Sequence, residues 1–351
     1  MIDFSRPYTS KWKVVSVDPD TWDDAYEIPG VYSASISTDG TDSIPLLETA
    51  SLEIDSGIYD TFSEGWYRIL MIAIQDSYYE RYPLSTVLFQ GSSDVVAFGK
   101  KTDSISGSSV LKPVADLKNI GNDYRYAPKG VDGADWVADI LNANIPSSVY
   151  IEGDGFKLTD AVTFSPGTSY LEMIWSVLDA GNWCMSIDGE GDVTIKAKPS
   201  QPDYVFDRTT MKNIQPSIKR TLSYEDVCNR YYAIDKMGNM EIAENHDPNS
   251  PLSYENRGRW VDYVDTSPKK INGETLYSYA RRRLQQESVL IQTYSYTREY
   301  IPGIYPFSLI SGLLPEYGID GDLRVFSQNI ACDKGIVVSE TAGLEIKGWV
   351  A

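Results

Sequence analysis

The sequence offers a single histidine for acid–base chemistry. His246 lies in a polar stretch that runs from Glu244 to Asn249. Imidazole titrates near neutrality, so a lone histidine is a candidate general acid or base. However, no Gly-x-Ser-x-Gly motif supplies a nucleophile beside it. The surroundings favour a solvated loop histidine, and one histidine excludes zinc sites that need several imidazoles.

Alternating acidic residues form a second candidate site. Asp188, Glu190 and Asp192 have the spacing of the first ligands in a calcium-binding loop. Yet valine stands where that loop requires glycine, and proline stands where its last glutamate belongs. A hairpin turn between two strands accounts for the same residues. We therefore predict a turn here and, by the same reasoning, at Asp320 and Asp322.

Motifs for phosphates and cofactors are incomplete. Gly153 and Gly155 begin like a GxGxxG motif, as do Gly189 and Gly191, but neither pair has the third glycine or the helix that should follow it. Among 50 acidic residues, a carboxylate pair suited to glycoside hydrolysis has no diagnostic value. The sequence therefore predicts no catalytic, cofactor-binding or metal-binding residues and no cofactor, and we expect no enzymatic activity.

Basic residues cluster at one place in the chain: Lys269, Lys270, Arg281, Arg282 and Arg283. Such a run is usually the solvated face of a helix. The functional alternative is contact with an acidic neighbouring subunit, because complementary charges fix the register of an interface.

Composition excludes further classes of protein. The 351 residues carry 31 basic and 50 acidic side chains, and the net charge of −19 argues against binding nucleic acid through its phosphates. The chain has three cysteines, Cys184, Cys228 and Cys332, which are far apart and odd in number. We therefore expect that the chain is synthesised in a reducing compartment and has no disulfide framework. No apolar run is long enough to span a membrane, and the first residues lack the apolar core of a signal peptide.

Strand patterns dominate the first third of the chain. Polar and apolar residues alternate at Val31–Ile36 and Ser51–Asp55, and Trp66–Ile74 is almost wholly apolar. Shorter strands are predicted at Thr86–Phe89 and Asp94–Phe98. An excess of tyrosine and tryptophan over phenylalanine fits either β structure or extensive protein–protein contact. Short strands separated by turns predict an antiparallel barrel or sandwich.

Helices and a hairpin follow this β-rich region. One helix is predicted to start at Asp132. A second has capping-box spacing at Ser169–Glu172 and should end at Gly181. The hairpin strands are Trp183–Ile187 and Asp192–Lys196.

Strand character then returns. We predict a strand at Val227–Ile234, a polar loop at Asn239–Arg259 and a helix at Glu274–Glu287, followed by a long strand. The last strands are predicted near 323–331 and 335–339.

This order of elements resembles the tail hub proteins of bacteriophages, the gp27-like baseplate hub family. The resemblance rests on the β-rich N-terminal region and on the helix Thr168–Gly181, which contains the segment Leu171–Trp175 and runs into the hairpin Trp183–Lys196. The turn of that hairpin is Asp188–Gly191. A third match is the strand segment Asp226–Ala233. The chain resembles a hub core without a C-terminal host-binding extension.

The resemblance implies a β-rich α+β fold with two antiparallel β-barrel tube domains and two α/β insertion domains. The first tube domain would span 1–115, and the second would combine 206–240 with 290–351. The α/β insertion would span 116–205, and a small helix-containing insertion would span 241–289. Three copies would form a ring with pseudo-sixfold symmetry.

The resemblance also implies a role in the virion. A homotrimeric hub would adapt a sixfold tail tube or distal tail ring to a threefold tip that carries fibre or spike proteins. Phage DNA would pass through the ring during ejection without specific binding, and acidic side chains are expected to line the channel. The chain would be made in the bacterial cytoplasm and would not itself insert into a membrane.

Two other functions stay open at this point. A carbohydrate-binding or receptor-binding virion protein would place its exposed tyrosines and tryptophans in one groove. A glycosidase or peptidase of the tail tip would need a cleft that contains a carboxyl group with a raised pKa.

Overall fold

The computed structural model describes most of the chain, namely residues 2–4, 6–40, 46–55, 64–97, 100–120, 126–159, 161–206, 217–225, 227–235, 237–266, 268 and 274–347. Strands predominate over helices throughout these ranges. No described helix combines the length and the apolar character needed to cross a lipid bilayer.

In chain order the strands are β1 Thr9–Val17, β2 Asp24–Ile28, β3 Val31–Asp39, β4 Leu47–Asp55, β5 Gly65–Gln75, β6 Tyr78–Ala97, β7 Lys100–Ser109, β8 Tyr126–Ala127, β9 Val149–Glu152, β10 Val162–Thr163, β11 Trp183–Ile187, β12 Val193–Ala197, β13 Tyr204–Phe206, β14 Lys219–Leu222, β15 Arg230–Ile234, β16 Met240–Glu244, β17 Asp262–Asp265, β18 Val289–Glu299, β19 Leu309–Leu314, β20 Ile319–Cys332 and β21 Ile336–Lys347. The helices are α1 Lys112–Asp116, α2 Gly133–Asn142, α3 Tyr170–Gly181, α4 Tyr254–Arg257 and α5 Leu276–Glu287, with a 3-10 helix at Pro315–Tyr317.

One sheet of thirteen strands forms the body of the molecule. Its order is β14-β18-β21-β20-β3-β4-β7-β6-β5-β1-β2, and β19 extends from β20 to β13. Where the structure describes it, this sheet is not closed into a barrel. It consists of two halves that meet where β20 pairs with β3, which we call the seam. The closed barrels and the trimeric ring stay predictions.

Each strand near the seam has one buried and one exposed face, because successive side chains of a strand point in opposite directions. On β4, Leu52 and Ile54 are buried, whereas Ser51 and Glu53 are exposed. The alternation predicted for β3 and β4 is therefore present. The buried faces share a core in which Ile36 of β3 joins the same cluster as Leu52 and Ile54.

β6 is longer than the sequence pattern suggested. The short strands predicted at Thr86–Phe89 and Asp94–Phe98 belong to one strand of 20 residues, although Phe98 lies outside the described residues. The register with β7 shifts between Phe89 and Gly91, and pairing continues beyond the shift. A β-bulge therefore replaces the predicted interruption, because one extra residue can be accommodated without ending a ladder.

A helical unit packs beside the sheet between α1 and β12. Its strands β9, β11 and β12 form a small sheet, against which α2 and α3 pack. Helix α3 begins with the predicted capping box, in which Ser169 and Glu172 bond each other's backbone. Its left-handed C-cap is Asn182, whereas Gly181 is the last helical residue. Glycine is needed there because a Cβ would lie 2.3 Å from the ring of Phe156.

A second small unit combines β15, β16 and β17 with α5. Tyr231 of β15 packs with Tyr279, Ala280 and Leu284 of α5. The domain prediction placed 227–234 with the second tube domain, but β15 pairs with β16 and β17 rather than with the large sheet. The polar segment 239–259 was predicted as a loop, yet it contains β16 and α4. Its strand forms because β15 supplies a hydrogen-bonding partner, which the sequence of β16 alone does not reveal.

Candidate functional surface

A row of small polar side chains crosses six neighbouring strands on the exposed face of the large sheet. It runs across both halves and over the seam. In order, and paired each with the next, the row consists of Thr297 of β18, Ser339 of β21, Asn329 of β20, Ser37 of β3, Thr49 of β4 and Ser108 of β7. We call it the polar row.

A parallel row of serines widens this surface on one side of the seam. Ser35 of β3 pairs with Ser51 of β4, which pairs with Ser106 of β7. Together with Ser37, Thr49 and Ser108 of the polar row they line a shallow depression of about 390 Å³. These two rows therefore form a flat, hydrophilic surface, because their side chains are short and most of them carry a hydroxyl group.

Charge is confined to the margins of this surface. Glu53 lies beyond the serine row and accepts a hydrogen bond of 3.0 Å from the hydroxyl of Ser33. Asp39 ends β3 on the same exposed side. Neither of the two rows contains a lysine or an arginine, so the surface offers phosphate groups no cationic partner.

A buried ion pair lies next to the seam, on the opposite face of the sheet. Arg298 of β18 donates to Glu340 of β21 at 2.6 Å, and their side chains are 1% and 0% exposed. Gln328 of β20 donates to the same carboxylate at 2.6 Å, and Tyr296 also bonds it. Burial alone would lower the pKa of Arg298, but Glu340 outweighs this effect and the pKa is raised. The pair ties three strands together inside the core.

A second buried arginine joins the large sheet to the helical unit, and we call this contact the joint. Arg68 of β5 donates to Asp24 of β2 at 2.6 Å, and its Nε lies 3.0 Å from the Glu190 carboxylate in the β11–β12 turn. Arg81 also bonds both acids. The Arg68 side chain is 2% exposed, whereas its two acidic partners are 30% and 35% exposed.

Backbone contacts complete the joint. Thr86 of β6 donates to the carbonyl oxygen of Gly189 at 2.8 Å, and the indole of Trp22 donates to the carbonyl oxygen of Glu190 at 2.8 Å. A Cβ on Gly189 would lie 1.9 Å from the carbonyl oxygen of Pro83. The turn therefore docks so closely that only glycine fits at this position.

Two further carboxyl groups lie close to the joint, and neither forms an ion pair with an arginine among the described residues. Glu48 of β4 is 5% exposed, and burial raises its pKa well above the usual value, with repulsion from Asp188 acting in the same direction. Burial likewise raises the pKa of Asp188. Both groups therefore hold their protons more tightly in the folded chain than in the unfolded chain.

The structure separates the residues that the sequence singled out. Asp188 and Asp192 form the predicted hairpin turn, in which the Asp192 amide donates to the Asp188 carboxylate at 2.9 Å. Arg282 and Arg283 bond Glu274 and Glu287 within the chain. Lys269 and Lys270 lie outside the described residues. In the part of the chain that the structure describes, no group of three or more metal-ligating side chains comes together.

His246 is exposed and lies in an aromatic cluster on the second small unit. Its Nδ1 lies 2.8 Å from the Glu255 carboxylate, and hydrogen bonds to Glu255 and then Glu244 raise its pKa. Tyr254 stacks on Trp260 with ring centroids 4.6 Å apart, and Arg230 lies 4.8 Å from the centre of the same indole. The indole is thus already stacked within the chain.

Sequence reasoning missed the buried charges. Arg68 interrupts an otherwise apolar strand pattern, and Arg298 continues the alternation of Tyr294 and Tyr296 on the buried side of β18. A charged residue in a buried position of a strand was the available signal, because such a group is rarely buried without a partner. Nothing in the sequence identified the acidic partners, which lie 44 and 122 residues from Arg68 and 42 residues from Arg298 along the chain.

Comparison with solved structures places this architecture among known folds. A tail protein from Neisseria meningitidis MC58 matches with a TM-score of 0.68 and 12% identity, over 96% of this chain and 97% of that chain. The 43 kDa tail protein of prophage MuSo2 from Shewanella oneidensis matches with a TM-score of 0.63 and 12% identity, over 95% and 98% of the two chains. The chain has the fold of phage tail proteins.

A third solved structure has a similar fold, whereas two comparisons of the sequence find no match. A prophage tail protein from Listeria monocytogenes EGD-e matches with a TM-score of 0.54 and 10% identity, over 96% of this chain and 95% of that chain. Neither a protein-family model nor a curated protein matches the sequence. The resemblance to phage tail proteins stated from the sequence is confirmed at the level of the fold.

Proposed function

We propose that this protein is a structural hub of a phage tail tip or baseplate. Three copies form a ring that adapts a sixfold tail tube or distal tail ring to a threefold tip with fibre or spike proteins. The ring is a virion component whose chains are synthesised in the bacterial cytoplasm. The likeness in fold to phage tail proteins over nearly the whole chain supports this proposal.

The polar row is the single observation that carries the proposed role in DNA passage. A channel wall must not hold the phosphate backbone, whose binding depends on lysine and arginine. The row offers short hydroxyl and amide groups on six adjacent strands, with Asp39 and Glu53 near its margins. We therefore assign this face to the channel. It differs from the predicted channel because small neutral groups form most of it and acidic groups only border it.

The domain arrangement that we propose follows from this assignment. The halves of the large sheet are the two tube domains, which we place in 1–115 and in 206–240 with 290–351, except that β15 within 206–240 belongs to the second small unit. Each barrel is closed only by neighbouring copies. The insertions 116–205 and 241–289 lie outside the ring. The protein itself acts as a scaffold without catalytic chemistry and without inserting into a membrane.

Measuring the mass in solution tests the ring directly. Light scattering should give three times the chain mass of 39.2 kDa, and negative-stain images should show a central hole. A chain that stays monomeric, alone and with neighbouring tail proteins, would overturn the proposal.

Retention of DNA tests the channel face. Ser37→Lys with Ser51→Lys should give the ring a salt-sensitive affinity for DNA that the unmodified ring lacks, because two lysines per chain supply phosphate contacts. Tyr79→Lys, on an exposed hairpin residue, is the matched control. Equal DNA retention by both variants would remove the polar row from the channel.

The receptor-binding alternative has one observation in its favour, the aromatic cluster of His246, Tyr254 and Trp260. However, Tyr254 and Arg230 already contact the indole of Trp260. A sugar would have to displace one of them in order to stack on that ring. The cluster therefore gives weaker support than the polar row gives to a hub.

A further inference from the structure

The two ends of the large sheet are exposed strands. β2 ends the sheet on one side and β14 ends it on the other. All four residues of β14 are exposed, as are the first four residues of β2. Within the described part of the chain, neither strand pairs along its outer edge. Such edges present unpaired backbone donors and acceptors to any strand that fits them.

The two edges carry opposite charges. The segment 18–27, which leads into and includes β2, contains five acidic residues and no basic residue. Asp24 is engaged by Arg68 and Arg81, and Glu27 by Lys13, whereas Asp20 and Asp23 face solvent.

β14 supplies the complementary sign. Its first two residues are Lys219 and Arg220, and both are exposed. No described carboxylate lies within ion-pair distance of either side chain. The basic edge is thus unsatisfied within its own chain at the described positions.

We infer that β14 of one copy pairs with β2 of the next copy, so that the large sheets join into a closed ring. This inference rests on the proposed homotrimer and names the strands that hold it together. The two edges are five and four residues long, so one can cover the other. Strand addition at an exposed edge is a common mode of protein association.

The charges of the two edges favour a second copy of this chain as the binding partner of each edge. With a net charge of −19, copies repel one another over most of their surface. Contact between the basic edge and the acidic edge replaces that repulsion by attraction at one place. Because the two edges differ, the contact is head-to-tail, and repetition of such a contact closes a ring when the rotation permits.

Disulfide trapping tests the pairing directly. All three native cysteines are buried, so an oxidant should act on introduced ones. The variant Ala25→Cys with Thr221→Cys places a thiol near the middle of each edge, and mild oxidation should yield covalently linked dimers and trimers. The control, Tyr79→Cys with Thr221→Cys, moves the first thiol to another exposed position and should stay uncrosslinked.

Charge reversal tests the electrostatic argument. Lys219→Glu with Arg220→Glu should raise the dissociation constant of the assembly by about tenfold or more, and Asp23→Lys with Glu27→Lys should do the same. The variant with all four substitutions should assemble again, because its edges are once more complementary. Recovery of assembly cannot be explained by misfolding.

The outcomes separate the two proposals. Unmodified chains that form the ring, but whose edge cysteines crosslink no better than the control, overturn the edge pairing and leave the hub standing. Reversal variants that assemble as tightly as the unmodified chain do the same. A chain that remains monomeric overturns both proposals.

Discussion

The large sheet buries two arginines equally deeply, but their acidic partners differ in exposure. Arg298 and Glu340 are both enclosed next to the seam. Arg68 is enclosed too, yet Asp24 and Glu190 are about one-third exposed and come from separate elements. The first pair belongs to the interior of one sheet. The second holds two units together at a place that water reaches, so we expect it to open without unfolding the sheet.

The largest effect should come from breaking the enclosed pair. Glu340→Ala leaves Arg298 buried without a counter-charge, which we expect to lower the free energy of unfolding by about 3–5 kcal/mol. Chemical denaturation measures this loss. Glu299→Ala, on an exposed residue of β18, is the control. A loss below about 1 kcal/mol would show that water or a rearranged side chain solvates the guanidinium.

A smaller and more local effect is expected at the joint. Gly189→Ala forces a methyl group against the backbone of Pro83 and should lower the free energy of docking by about 1–3 kcal/mol. Hydrogen exchange should accelerate at Asp188–Asp192 and in the neighbouring part of β6, while the seam stays protected. Gly130→Ala has open space around its Cβ, although its positive φ strains alanine, and should leave exchange at the joint unchanged. Equal acceleration at the seam would remove the distinction between the two sites.

The smallest expected effect concerns Glu48, a buried carboxyl group that is not paired with either buried arginine. The folded pKa of Glu48 lies above the usual value of 4.5, so folding takes up a proton and stability falls as pH rises from that value towards the folded pKa. Glu48→Gln should flatten this decline and raise stability at neutral pH by about 1 kcal/mol. Thermal unfolding between acidic and neutral pH measures it. Glu53→Gln, on the exposed face of the same strand, should change nothing. A steeper decline in the Glu48 variant would contradict the argument.

Local features could be predicted from the sequence, and long-range pairings could not. The capping box of α3, the β11–β12 hairpin and the alternation on β3 and β4 depend on residues that are near each other in the chain. The seam joins residues 34–39 to residues 327–332. The alternation of polar and apolar residues in a strand does not specify which distant strand pairs with it. For the same reason, the sequence did not specify that β15 pairs with β16 and β17.

The candidate surface was predictable only in part. Alternation at Ser51–Asp55 shows that one side of β4 is polar, but the polar row exists only because the registers of five strand pairs align. The buried arginines could be noticed as charges within strands. Their partners could not be named, because an ion pair across a fold leaves no spacing in the sequence.

The seam also has a mechanical consequence. Six residues of β20 run antiparallel beside six residues of β3. A load directed along the strands meets these backbone hydrogen bonds in parallel and strains them together, whereas a load across the strands peels them apart one after another. In the channel that we propose, DNA that moved along the strands would load the two halves in their stiff direction. The two halves of the sheet would then move as one rigid body, and any deformation would occur at the joint with the helical unit.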